Sequence, residues 1–330
     1  MTPKHSVAAG ADPWAVVDVS AWELGDIETA GSSDLVWLIE PNQEPPKFWL
    51  HKNTNIPGNG GEEGQDWAEV ISTQVAITLG VPCAVTRLCV QADEAGRVRR
   101  GSISLSLRES DSASALVHGG DWLEEAGIPE FRNWRERSSR GQQRRSGGGT
   151  VQRGHNLANI ERSLETVKPP QGLPERLTAF DAFVGFLILD AMVANRDRHE
   201  FNWAVLRSPM ADEPDRLCPS FDHGTTLGHN LTDERRLLEL TRMESFAAKG
   251  TAHRFEHRGA IPSLVEVACL ALARATDAGR AYWTERFARF DFDQVGLNRP
   301  IQGMSDTGVA FVRALVETNV RRMNDDFAVR

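Results

Sequence analysis

Short apolar and alternating runs in the first third of the chain predict β-strands. The strand-like runs are residues 14–19, 35–39, 48–51, 85–90 and 103–107. The segment 41–46 lies between the second and third runs and consists of proline and polar residues only. A segment of this kind favours a turn, so the two runs that flank it are predicted to pair as a β-hairpin.

Helical periodicity is clearest between residues 65 and 79. Apolar residues, among them Trp67, Val75 and Leu79, recur there at the spacing of one face of an α-helix. Gly80 stands at the C-cap position, and Pro82 prevents the helix from continuing. The sequence therefore predicts a small antiparallel-sheet lobe that contains one helix.

From about residue 119 onward the pattern becomes mainly helical. Helices are predicted at 121–126, 156–167, 174–194, 265–275, 280–289 and 307–323. The most apolar run, 182–189, is far too short to span a membrane, so we expect a buried helix of a cytosolic protein. The fold class is therefore α+β and bilobal, with an N-terminal lobe at 1–117 and a larger, mostly helical C-terminal lobe at 118–330.

Composition narrows the class of protein. The chain has 330 residues, 40% of them hydrophobic, and a formal charge of −9, which excludes a mainly disordered chain. The acidic balance argues against a general nucleic-acid or membrane-surface binder. The four cysteines form no CxxC pair, which favours a reducing compartment, and we expect a cytoplasmic protein.

One segment runs against this acidic balance. Residues 132–154 are rich in arginine and glycine and also hold several serines. The segment is predicted to be either a solvated loop or a loop that docks a partner, contacts a nucleotide or becomes self-phosphorylated.

Two segments that follow the apolar helix carry the candidate chemistry. Residues 195–203 read NRDRHEFNW, and residues 220–228 read SFDHGTTLG. Asp197 and Asn202 have the Asp-x4-Asn spacing of a protein-kinase catalytic loop, in which the Asp accepts the substrate hydroxyl proton and the Asn holds magnesium. Asp222 precedes a glycine-containing turn, where a kinase needs a carboxylate for magnesium, and such oxygens are ligands that Mg²⁺ prefers.

A kinase also needs a strand lysine that contacts the phosphates and is paired with a glutamate on the next helix. Lys52 ends the 48–51 strand, and Glu69 lies on the 65–79 helix. The order Lys, Glu, Asp-x4-Asn and Asp-x-Gly is complete along the chain.

These segments resemble HipA-like serine/threonine kinases, and the hairpin and the helix at 69–80 resemble the smaller, CtkA-like members of that family. The resemblance implies that Asp197 is the catalytic base, that Asn202 and Asp222 are metal ligands, and that Lys52 contacts phosphate. It also implies ATP and Mg²⁺ as cofactors and a protein or peptide substrate bearing Ser or Thr. The Asp-Arg-His-x-x-Asn pattern is similar to phosphatidylinositol kinases as well, so a lipid or small-alcohol substrate stays open.

The chain departs from the kinase pattern in its glycine loop, because no Gly-x-Gly-x-x-Gly precedes the hairpin. Gly31, Ser32 and Ser33 are predicted to form a short phosphate-binding loop in its place. The nucleotide base is expected under the segment that joins the lobes, around residues 108–119.

The sequence thus predicts an ATP- and Mg-dependent kinase that transfers the γ-phosphate to a Ser/Thr hydroxyl and can phosphorylate itself. A nucleotide-binding pseudokinase is one alternative. Another is a metal-dependent phosphohydrolase that uses Asp197, His199, Asp222 and His223. The oligomeric state stays open, and no nucleic-acid or membrane partner is expected.

Other polar residues near these motifs have structural interpretations. His199 is expected to shape the catalytic loop by hydrogen bonding, and Asp190 to bind backbone N–H groups of that loop. Arg196 and Arg198 are each predicted either to pair with an acid or phosphate or to face solvent.

Overall fold

Six strands from the first third of the chain form one sheet. The computed structural model describes residues 12–25, 35–58, 61–108, 114–128, 131 and 153–329. The strands are β1 Val17–Asp18, β2 Glu23–Leu24, β3 Leu35–Glu40, β4 Lys47–Asn53, β5 Thr86–Ala92 and β6 Val98–Leu105, in the order β1-β5-β6-β4-β3-β2. All neighbours are antiparallel except β1 and β5, which run parallel. The predicted hairpin is β3–β4, and it places Lys52 opposite Leu35.

The single helix of this lobe is α1, Gln65–Leu79, with the bounds that its periodicity predicts. Gly80 ends it with a φ of 84°, a left-handed conformation that glycine adopts without steric cost. The helix packs on β5 and β6 and is buried on most of its surface, Glu69 included. The sheet therefore holds Lys52 and the helix holds Glu69 as neighbouring parts of one lobe.

The second part of the chain is mostly helical. Its helices are α2 Gly119–Glu125, α3 Leu157–Ser163, α4 Ala179–Val193, α5 Asp233–Leu240, α6 Met243–Ala247, α7 Leu264–Arg274, α8 Asp277–Ala288 and α9 Asp306–Val329, with a short 3₁₀ helix at Phe292–Val295. Every residue of α4 is buried, as its apolar run predicts. This helix packs against α1, α7, α8 and α9, so it forms the centre of the molecule.

A small sheet that the sequence did not predict lies in this helical part. Its strands are β7 Ala115–His118, β8 Ala204–Arg207 and β9 Arg216–Leu217, all antiparallel. Strand β8 follows directly after the segment 195–203, so the sheet fixes the far end of the predicted catalytic loop. The predicted boundary between residues 117 and 118 stays a prediction; it falls within β7.

Two hydrophobic clusters stabilise the fold. The smaller lies in the sheet lobe and is built from Val19, Leu38, Trp49, Cys89 and Ile103. The larger surrounds α4 and also includes Trp67 of α1, so burial of apolar surface joins the helix of the sheet lobe to the helical part. Within the described ranges, no helix combines the length and apolar character that crossing a membrane requires.

Candidate active site

The loop that carries Asp197 begins where α4 ends. Ala194 closes the helix in the left-handed conformation, with a φ of 55°. Asn195 is fully buried: its Nδ2 donates to Asp190 Oδ1 at 2.7 Å, and its Oδ1 accepts the backbone N–H of Asp197 at 3.0 Å. The end of a buried helix therefore fixes the backbone of Asp197.

Arg198 is a buried cation that ties this loop to the segment holding Asp222. Its side chain is 2% exposed and pairs with both carboxylate oxygens of Asp190, through Nε at 2.8 Å and Nη2 at 2.7 Å. Arg198 also donates to Asn202 O at 2.5 Å and to Ser220 Oγ at 2.9 Å. Burial opposes the charge, but the carboxylate of Asp190 raises the pKa of Arg198 above its usual value.

The expectation for Asp190 is thus corrected in its detail. Its carboxylate accepts hydrogen bonds from the side chains of Asn195 and Arg198, rather than from backbone N–H groups of the loop. The two arginines of the motif also differ, since Arg198 is buried and paired whereas Arg196 is exposed.

Asp222 and Lys52 meet although 170 positions separate them along the chain. Lys52 Nζ lies 2.5 Å from Asp222 Oδ1. Asp222 has a φ of 63°, a left-handed conformation that a non-glycine residue seldom adopts and that often accompanies function. This strained backbone aims the carboxylate at the lysine on β4.

Electrostatics hold this pair in its charged form. For Asp222, burial disfavours the carboxylate, but the neighbouring ammonium of Lys52 holds its pKa below the usual value. For Lys52, burial disfavours the ammonium, but the carboxylate of Asp222 raises its pKa. The negative charges of Glu69 and Asp197 add to the same upward shift of the Lys52 pKa.

Glu69 is predicted to hold Lys52, and its contacts in the structure are different. Glu69 Oε1 accepts the backbone N–H of His223 at 3.0 Å and lies 3.6 Å from the Nδ1 atom of its ring. Glu69 Oε2 is buried without a hydrogen-bond partner, and a Cβ on Gly224 would lie 3.2 Å from it. Glu69 therefore binds His223, the residue that follows Asp222, whereas Lys52 pairs with Asp222 itself.

His223 is fully buried, and protein groups surround both of its ring nitrogens. Nε2 lies 2.8 Å from Ser220 Oγ, and Nδ1 faces Glu69 and, at 3.9 Å, the Cys83 sulfur. Burial acts against the imidazolium, but Cys83 and Glu69 raise the pKa of His223 to about 10. Through these contacts the buried ring of His223 stabilises the segment that holds Asp222.

Asp197 and Asn202 lie on the same loop and contact each other. Asn202 Nδ2 donates to the backbone carbonyl of Asp197 at 2.8 Å, which leaves its Oδ1 as the atom free to bind another group. Asp197 Oδ1 accepts a hydrogen bond from Arg254 Nε at 2.8 Å and forms an ion pair with Arg254 Nη2 at 2.6 Å. Asp197 Oδ2 lies 4.0 Å from His199 Nε2.

His199 shapes this loop as expected. Its Nδ1 accepts the backbone N–H of Phe201 at 3.1 Å, and its carbonyl accepts the N–H of Asn202. Burial lowers the pKa of His199, although the carboxylate of Asp197 acts in the opposite direction. The neutral ring accepts at Nδ1 and so presents Nε2–H towards Asp197.

The structure thus pairs Lys52 with Asp222 and Asn202 with Asp197, and Arg198 links the two segments. Glu69 contacts His223, the residue next to Asp222. The predicted phosphate loop at Gly31, Ser32 and Ser33 lies outside the described residues, as does most of the 132–154 segment. The segment expected over the nucleotide base, 108–119, is described only in part.

Sequence reasoning missed two features of the site. The supporting role of Ser220 and His223 could have been inferred from the sequence, because both stand in the same short segment as Asp222. The contact between Arg254 and Asp197 could not have been inferred, since Arg254 lies 57 positions from Asp197 in a loop without a recognisable sequence pattern.

Comparison with known proteins supports the fold. No protein-family model and no curated protein sequence matches the chain. The crystal structure of the Helicobacter pylori proinflammatory kinase CtkA is similar, with a TM-score of 0.66 and 13% sequence identity over 94% of this chain and 96% of that chain. HipA from the Shewanella oneidensis MR-1 toxin–antitoxin system, in its complex with HipB and operator DNA, gives a TM-score of 0.42 and 12% identity over 91% and 65% of the two chains. The golgi casein kinase gives 0.38 and 12% over 97% and 74%.

The chain therefore has a kinase-like fold, with a sheet lobe followed by a helical lobe. At the level of fold, the likeness to CtkA confirms the resemblance to HipA-like kinases that the motifs predict.

Proposed function

We propose that the protein is an ATP- and Mg-dependent kinase that transfers the γ-phosphate to a Ser or Thr hydroxyl of a protein or peptide. One observation carries this proposal: Lys52 of the sheet lobe meets Asp222 of the helical part at 2.5 Å, beside the loop of Asp197 and Asn202. Phosphoryl transfer needs positioning and charge neutralisation more than covalent chemistry, and this arrangement supplies both.

Asp222 and Asn202 have the donor atoms that a magnesium ion requires. Asp222 is partly exposed and uses Oδ1 for Lys52, so Oδ2 is available; Asn202 uses Nδ2 within its loop, so Oδ1 is available. Carboxylate and amide oxygens are hard ligands that suit Mg²⁺. When bound, the ion would neutralise charge on the phosphates of ATP.

The remaining residues act on the reacting groups directly. Lys52 would contact the phosphates through its ammonium, which its surroundings keep charged. Asp197 would accept the proton of the acceptor hydroxyl at Oδ2, because Arg254 occupies Oδ1. The hydroxyl oxygen bonds to the γ-phosphorus, the bond from that phosphorus to the bridging oxygen of ADP breaks, and the proton passes to Asp197.

The test is phosphate transfer from radiolabelled ATP to the protein itself and to serine- and threonine-containing peptides. Asp197→Ala and Asp222→Ala are each expected to lower the rate at least 100-fold, the scale of a lost general base. Asp212→Ala is the matched control, since Asp212 is exposed between β8 and β9, and its rate should equal that of the wild type. Equal labelling by the wild type and both site variants would refute the proposal.

The same assay separates the alternatives. A pseudokinase predicts ATP binding without label transfer, and a lipid or small-alcohol kinase predicts transfer only to such acceptors. The phosphohydrolase alternative needs His223 as a metal ligand, but that ring is fully buried and engaged by protein groups. The described part of the chain also contains no group of three or more His, Cys, Asp or Glu side chains that could hold a metal. The cytoplasmic location stays a prediction.

A further inference from the structure

Two arginines flank the candidate catalytic base, and neither contacts the acceptor in the chemistry proposed above. Arg254 binds one oxygen of Asp197 through two nitrogens, and Arg196 precedes Asp197 in the chain. Both line one small pocket beside the loop, together with Asn195 and Arg198. We call Arg196 and Arg254 the acceptor-side arginines.

Arg254 is held in place by a buried histidine. His155 Nδ1 lies 2.9 Å from the backbone carbonyl of Arg254, and its Nε2 accepts the indole N–H of Trp203 at 3.2 Å. Burial lowers the pKa of His155 to about 4, so the ring is neutral at pH 7 and donates from Nδ1. Phe255 stacks on the same ring, with centroids 4.7 Å apart. The backbone of Arg254 is therefore fixed relative to the site.

Among the described residues, Arg196 has no acidic partner. Its side chain is exposed and donates to Thr251 Oγ1 at 3.2 Å, and among the described residues no carboxylate lies within 4.0 Å of it. Burial lowers the pKa of the nearby His253, and Arg254 and Arg196 lower it further, although Asp197 acts in the opposite direction. This surface is cationic although the whole chain carries −9.

We propose that the acceptor-side arginines recognise an acidic side chain next to the phosphoacceptor, so that the acceptor is a Ser or Thr within an acidic peptide segment. This inference rests on the proposed function, which places the acceptor hydroxyl within hydrogen-bonding distance of Asp197. Residues adjacent in an extended peptide are about 3.5 Å apart, and Arg254 directly contacts Asp197, so a neighbour of that hydroxyl comes within reach of Arg254, which shares its pocket with Arg196. A guanidinium matches a carboxylate with two parallel hydrogen bonds, which favours acidic over neutral neighbours.

The test is peptide binding measured by fluorescence anisotropy, with and without Mg²⁺ and a non-hydrolysable ATP analogue. Three labelled peptides share one serine and differ only in its neighbours, which are glutamate, glutamine or lysine. The glutamate peptide is expected to bind the wild type at least 10-fold tighter than the glutamine peptide. Arg196→Glu and Arg254→Gln are each expected to remove most of that preference, whereas Arg289→Gln, an exposed arginine on the α8 side of the molecule, should keep it.

Each other outcome has a defined meaning. Equal binding of the three peptides, or a preference that survives in both arginine variants, overturns the inference. Binding to phosphatidylserine vesicles without any peptide preference also overturns it, because the surface would then recognise lipid.

Phosphate transfer to all three peptides at equal kcat/KM also overturns the inference, but it leaves the proposed kinase function standing. Absence of transfer to any acceptor refutes the proposed function instead, while the binding result alone still decides whether the arginines form an acidic-peptide surface.

Discussion

Arg198 shows how one buried charge organises a site. Its guanidinium connects the end of α4 through Asp190, the loop of Asp197 through Asn202 O, and the Asp222 segment through Ser220. A buried ion pair of this kind adds little net stability, because both ions lose their hydration on folding. Removing one partner is costly, however, since the other charge then stays buried and uncompensated.

For this single residue, we predict that Arg198→Met lowers the free energy of unfolding by about 3–5 kcal/mol, because the substitution leaves the Asp190 carboxylate buried without its cation. Urea denaturation measures the loss. Arg196→Met is the matched control two positions away and, as an exposed substitution, should change stability by less than about 0.5 kcal/mol. The double variant Asp190→Asn/Arg198→Met should lose less than the sum of its single changes. An additive double variant would mean that the pair does not act as a unit.

The carboxylate of Asp181 caps the N-terminus of α4 and also binds the N-cap residue of α8. Thr178 and Asp181 form a capping box at the N-terminus of α4. The same fully buried Asp181 accepts hydrogen bonds from Thr276 N at 2.9 Å and Thr276 Oγ1 at 2.7 Å, at the N-cap of α8. Because both helix N-termini carry partial positive charge, one carboxylate stabilises two dipoles.

We therefore predict that Asp181→Ala destabilises the protein by about 3 kcal/mol or more, since it removes hydrogen bonds to a charged acceptor from two helices. Glu266→Ala is the comparison, because Glu266 completes the capping box of α7 on the surface, and its loss should be about 1 kcal/mol. Thermal and urea unfolding of both variants measure the difference. Equal losses would show that Asp181 is an ordinary cap of one helix.

Local signals determined how well each element could be predicted. The bounds of α1 followed from periodicity, from Gly80 and from Pro82, all within the helix or next to it. The start of α4 was placed at Pro174, four residues ahead of its cap at Thr178, because the sequence alone does not show which candidate residue caps the helix. Strands β7, β8 and β9 were missed, since they are short and depend on partners distant in the chain.

For the whole molecule, candidate site residues could be predicted where motifs fix the offsets between residues. The roles of Asp197, Asn202 and Asp222 are predicted in this way and stay predictions, and the structure shows the contact between Asp222 and Lys52. The contact partners were not predictable, because they depend on tertiary packing: Glu69 binds His223, and Arg254 binds Asp197. The interaction between Lys52 and Asp222 joins the two lobes across the site.

This cross-lobe pair gives a prediction about metal binding, because Lys52 occupies an oxygen of Asp222 and its positive charge repels a divalent cation. In the absence of nucleotide, Lys52→Met is expected to bind Mn²⁺, a spectroscopic substitute for Mg²⁺, about 10-fold tighter than the wild type, which corresponds to ~1.4 kcal/mol. Electron paramagnetic resonance titration of free Mn²⁺ measures the affinity. Lys47→Met, on the exposed end of the same strand, should leave it unchanged, and Asp222→Asn should abolish the tight binding in both backgrounds. Equal Mn²⁺ affinity in the wild type and Lys52→Met would mean that Asp222 is not the metal ligand that the proposed kinase requires.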